Sequence, residues 1–138
     1  MRSYFALTVA CLLFSPVAFA AQAADEMLIA GLQAWVSNGS EAGLHTWYSD
    51  QPDVVLEMQD KLRPELKRLG DVIDTEVIAI QPISKRVTRY YLAVYFSNAP
   101  LWIRIERYAT DKRVVFLPLR FSTNPDQILP SYLTDLQL

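Results

Sequence analysis

Glu106, in the stretch Leu101–Tyr108 that reads LWIRIERY, is the one carboxylate whose neighbours suggest chemistry. Arg104 stands two residues before it, and Arg89 and Tyr91 belong to the preceding apolar–polar stretch. A carboxylate beside a phenol can serve as a general acid or base. Flanking guanidiniums hold it ionised, however, and an ionised carboxylate is better suited to a structural ion pair than to donating a proton. His45, in GLHTWYSD, is the sole histidine. It could act as a base at a cavity mouth, but its pattern is that of a helix histidine facing solvent. Glu106, Tyr91 and His45 are therefore the candidate catalytic residues, and none carries an assigned role.

Other chemistry is argued against by residue types. One histidine, together with one cysteine at Cys11, cannot make a nitrogen–sulfur metal site. No Asp-rich calcium loop is present. The four glycines form no phosphate-cradling loop, and no nucleophile elbow occurs. The expectation is a protein with no cofactor and no metal.

A second set of residues has a different meaning. Arg89, Tyr91, Tyr95, Trp102, Arg104, Glu106 and Tyr108 recur at spacings of two, on the side opposite the aliphatic residues. Phe116 and Arg120 join them if the next stretch pairs as expected, and Asp74 and Glu76 join from the preceding one. Aromatic rings and arginines bury much area while keeping a polar end, the composition of binding surfaces. Arg89, Tyr91, Tyr95, Trp102, Arg104, Glu106, Tyr108 and Arg120 are the candidate ligand- or partner-binding residues.

The elements that must hold this face follow from periodicity. Leu28, Leu32, Trp35 and Val36 keep the helical period from Asp25, which is placed to cap a helix. Asn38–Gly39 ends that helix, and Ser40 opens a shorter one through Tyr48. The pattern from Pro52 to Leu69 is the strongest helical signal: Val55, Met58, Leu62, Leu66 and Leu69 share a face, Gly70 stops it, and Pro64 should bend or split it. From Asp71 the period becomes two, giving strands at about 72–81, 86–96, 101–109 and 113–122. A turn over Ser97–Pro100 would set Val94 opposite Ile103. A three-residue turn over Thr110–Lys112 would put Leu117 and Leu119 on the aliphatic face and Phe116 beside Glu106. Pro118 marks an edge or a bulge. Asn124–Leu129 reads as a helical turn, with Tyr132, Leu133 and Leu136 docking the tail. The fold class is α+β, with N-terminal helices on one face of a curved four-stranded antiparallel sheet.

Residues 1–20 read as a secretory leader: Arg2, an apolar run, Ser15–Pro16, then Ala18-Phe19-Ala20, with cleavage after Ala20. Cys11 lies inside that leader, so residues 21–138 form a single domain without cysteine, destined for the periplasm or secretion. The tail occupies 123–138. The apolar run is too short and too broken for an uncleaved anchor, so no stable membrane insertion is expected. The chain carries 13 basic and 15 acidic residues. Losing Arg2 makes the net charge about −3, and no basic run exists, which argues against nucleic acid.

A helical front half, a long helix ending at Gly70, and strands carrying YYLAVYF and PLWIRIERY resemble the nuclear transport factor 2-like (SnoaL-like, cystatin-like) α+β cone superfamily, and its small secreted bacterial members in particular. The resemblance covers about residues 25 to 125. It implies a bent sheet wrapped around helices, frequent dimers through the sheet, and a cavity in some members. Enzymes of that superfamily place an Asp and a Tyr or His in the cavity, but no motif here transfers such roles. The leading reading is a non-catalytic secreted interaction module working through the aromatic and arginine-bearing face, as a homodimer or with a protein partner. The alternatives are a small cavity enzyme of isomerase or cyclase type, using Glu106 or His45 with Tyr91, and an accessory subunit of a cell-envelope complex docked through the Trp35/Trp47 region.

Overall fold

The computed structural model describes residues 16–135, with side chains described from Asp25 onward. The expected cleavage site after Ala20, Cys11 and Leu136 fall outside the residues whose side chains are described. Three helices, α1 (Pro16–Asn38), α2 (Ser40–Trp47) and α3 (Pro52–Leu69), precede the strands β1 (Val72–Pro82), β2 (Val87–Phe96), β3 (Pro100–Ala109), β4 (Val114–Phe116) and β5 (Arg120–Ser122). The strands form one curved, unclosed antiparallel sheet in the order β1-β2-β3-β4, with β5 also paired to β3. The chain has an α+β fold. A 3-10 turn at Pro125–Gln127 and α4 (Ser131–Thr134) complete it.

The helices bury one face of this sheet. Leu28, Leu32 and Trp35 of α1, and Val55, Met58, Leu62 and Leu69 of α3, join Tyr90, Leu92, Val94, Leu101, Ile103 and Ile105 in one hydrophobic cluster. Burial of aliphatic surface on this scale is the main stabilising term of such a domain. α1 and α2 touch closely because Gly31 leaves room. The Trp47 indole donates from Nε1 to the Leu28 carbonyl at 3.0 Å, and a β-carbon on Gly31 would stand 2.0 Å from that nitrogen.

The end of α3 is tied to the β2–β3 hairpin. Gly70 takes a positive φ of 82°, the left-handed region that glycine enters without steric cost. The free carbonyls of the last helical turn accept from that hairpin: Asn98 N donates to Leu69 O at 3.0 Å, and Asn98 Nδ2 donates to Arg68 O at 3.0 Å.

Several local expectations change. α1 begins well before Asp25, so Asp25 is not its cap; the carboxylate accepts the Tyr90 hydroxyl instead. Pro64 does not split α3, which stays one element across 18 residues; its packed face carries Leu62 and Leu69, on either side of the proline. Tyr132 is exposed and does not dock the tail.

The register also moves. Val94 stands opposite Leu101 and Leu92 opposite Ile103, two positions away from the expected alignment. A shift of two keeps every side chain on its face. The β3–β4 turn is different. Ala109 pairs with Val114, so four residues intervene rather than three. That single extra residue sends Phe116 to the core, fully buried at 0 %, and places it edge-on to Tyr90. Leu117, expected in the core, is 36 % exposed. Its backbone leaves the ladder before Pro118: its N–H donates to Glu106 O, and its carbonyl accepts the Tyr48 hydroxyl, both at 2.8 Å. When pairing resumes, Phe121 meets Ile103 on the core side and Arg120 meets Arg104 on the other.

Candidate functional site

Opposite the helices lies the second face of the sheet. β2 contributes Arg89, Tyr91, Ala93 and Tyr95; β3 contributes Trp102, Arg104, Glu106 and Tyr108; β5 contributes Arg120 and Ser122. Asp74, Glu76, Ala79 and Gln81 arrive from β1. They reach this face through two register shifts in β1, which leave Ile73 and Ile78 without partners in β2 and shift the side-chain parity of the strand. All eight residues expected to bind a partner therefore share one face. Phe116, also expected on this surface, does not.

The polar groups of this face are organised. Arg89 and Glu106 stand directly opposite each other and form an ion pair, N to O 2.9 Å, with side chains 27 % and 25 % exposed. Tyr95 donates its hydroxyl to Glu76 at 2.6 Å, and Tyr91 donates to Gln81 at 3.0 Å. The carboxylate of Glu76 pushes the Tyr95 phenol up to about 12, because its hydrogen bond favours the neutral form, and partial burial adds to the shift. Tyr91 is 2 % exposed, with Ala93 fully buried beside it in the middle of the face. Trp102 and Arg104 are partly exposed, and Tyr108 and Arg120 open to solvent at its edge.

Of the catalytic candidates, Glu106 and Tyr91 share the second face around Arg89, and His45 lies apart. Glu106 is engaged by Arg89, and the Tyr91 hydroxyl by Gln81. His45 lies on α2 with Nε2 3.7 Å from Glu41 one turn away, both exposed; among the described residues no hydrogen bond or ion pair joins it to Tyr91 or Glu106. An open cleft of about 380 Å³ lies elsewhere, between the start of α2 and α3, lined by Ser40, Glu41, Gln59, Arg63, Leu66 and Lys67. Trp35 and Trp47 are buried against each other, ring centroids 6.0 Å apart, so the region expected to dock an envelope complex presents no tryptophan surface. Among the described residues no group of three or more His, Cys, Asp or Glu side chains could hold a metal ion, and no helix is long and apolar enough to cross a membrane.

Two groups were not legible from sequence. Gln81, which holds Tyr91, sits at the end of a strand with no chemical signal beyond its parity. On the core side, Tyr90 donates to Asp25 while Arg107 donates from Nη2 to Thr88, forming a polar cluster at one end of the core. Burial, then the Asp25 carboxylate, raises the Tyr90 phenol well above its ordinary range. The odd-numbered parity of Arg107 with Ile103 and Ile105 is the one signal that pointed there.

Comparison with protein-family models, with curated proteins and with solved structures finds no match to this chain.

Proposed function

We propose that the protein is a non-catalytic interaction module, secreted or periplasmic, that binds through the second face of its sheet and takes a second copy of itself or another protein as partner. The observation that carries this reading is that eight residues rich in tyrosine, tryptophan and arginine occupy one face, with the helices on the other. A central aromatic patch with a charged rim is the anatomy of a protein interface. The proposed leader, cleaved after Ala20, would deliver residues 21–138 outside the cytoplasm. The cone-fold resemblance is consistent with this use of a curved sheet.

The engagement of Glu106 by Arg89 supports a structural role for that carboxylate over acid–base work. The experiment is sedimentation of the mature chain, with its co-purifying proteins identified, against a variant carrying Tyr95→Ala, Trp102→Ala and Arg104→Ala. The reading expects a complex that the variant loses while keeping its secondary structure. A variant with the same mass and the same companions as the parent would overturn it.

A further inference from the structure

Most charges on the second face are answered locally. Arg89 is opposite Glu106, and Glu76 accepts from Tyr95. Among the arginines of this face, Arg104 and Arg120 are the exception. They are direct partners across β3 and β5, on the same face. Like charges directly opposite in an antiparallel pair are destabilising. Among the described residues, neither guanidinium makes a hydrogen bond or ion pair with a side chain. The nearest carboxylate along β3, that of Glu106, is engaged by Arg89. One rung away stands Trp102, opposite Ser122, with its ring partly exposed.

We infer that Arg104 and Arg120 together seat one oxyanion, a carboxylate or a phosphate monoester, carried on a ligand whose flat apolar part lies against Trp102. Each guanidinium presents a planar fork of donors that matches two oxygens of such a group. One anion placed between them turns a repulsive pair into two attractive ones. Trp102 supplies a flat surface for an adjoining ring, and the Ser122 hydroxyl, which donates to Gln127 at 2.7 Å, closes the end of that rung. The inference rests on the reading of this face as the binding surface and names the chemistry it selects.

The test uses the tryptophan fluorescence of the mature chain. Trp35 and Trp47 are buried, so an added ligand reaches Trp102 first. Benzoate, phenyl phosphate and benzamide are the probes; benzamide matches benzoate in shape and lacks its charge. Saturable quenching by benzoate, by phenyl phosphate or by both is expected, and the active anion tells carboxylate from phosphate. Benzamide should be at least tenfold weaker. Arg120→Gln, an exposed substitution that leaves the core untouched, should weaken the anion at least tenfold, and Arg104→Gln should do the same. Absence of saturable quenching by either anion would overturn the inference, as would equal affinity for benzamide or unchanged affinity in both variants. The interaction reading fails separately: a sedimentation result indifferent to Tyr95 and Trp102 removes it even where the anion binds, and a parent chain that forms the complex but shows no saturable quenching by either anion removes only the oxyanion seat.

Discussion

Arg89 and Glu106 face each other across β2 and β3, 2.9 Å apart and about three-quarters shielded from solvent. The pair neutralises the only carboxylate of β3, one rung from Tyr91 on the aromatic surface. It engages a glutamate flanked by arginines, in line with the structural role proposed for that carboxylate. A double-mutant cycle over Arg89→Ala and Glu106→Ala should return a coupling of about 1 kcal/mol, reduced in about 1 M salt because the pair is only partly shielded. Denaturant unfolding gives the four stabilities, and additive losses would show that the two side chains do not support each other.

Tyr95 should ionise late. Glu76 and partial burial raise its phenol from 10.0 to about 12. The proton is held more tightly in the folded chain than in the unfolded one. The stabilisation is therefore complete below pH 10 and is lost as pH rises toward 12. Ultraviolet titration of tyrosinate in the parent and in Tyr95→Phe isolates this group. Glu76→Gln should bring the late transition back toward the ordinary value, and an unchanged curve would place the cause elsewhere.

Phe116 and Leu117 are adjacent and should behave oppositely. Phe116 is wholly buried against Tyr90, and Leu117 is partly exposed beyond the end of β4. Truncating the first to alanine should cost about 3–5 kcal/mol, and the second less than about 1 kcal/mol. Urea midpoints of the two variants test the four-residue turn directly, since a three-residue turn predicts the reverse order.

Gly31→Ala should destabilise the fold although alanine is the better helix former. The added methyl would meet the Trp47 indole at 2.0 Å, and Trp47 is pinned by its bond to Leu28. Overpacking of this kind costs about 1–3 kcal/mol. Thermal unfolding of the variant measures it; a rise in midpoint would mean that helix propensity outweighs the clash.

The division of the sheet into two faces was legible because strand parity survives any shift of two. Val94 moved from Ile103 to Leu101, and both remain in the core. The placement of Phe116 was not legible, because a turn of three or four residues at Thr110–Arg113 satisfies the same composition and differs by the one step that inverts a strand. The late start expected for α1 failed for a related reason: Asp25 has the chemistry of a cap, but its tertiary partner is Tyr90, 65 residues away. No local pattern announces such a pair. The same holds for Arg104 with Arg120, which only the irregular path through Leu117–Pro118 brings opposite each other. Of the candidate site, the membership of the face was readable, and the pairings within it were not.

The central claim is that the second sheet face is the surface this protein works with. A photoactivatable phenylalanine analogue placed at Tyr108, on the exposed edge of that face, and separately at Leu56, on the exposed side of α3, reports it in cells producing the full chain. The account predicts a discrete crosslinked species from position 108, to a second copy or to another protein, and none from position 56. Crosslinking from position 56 alone, or from neither, would contradict it.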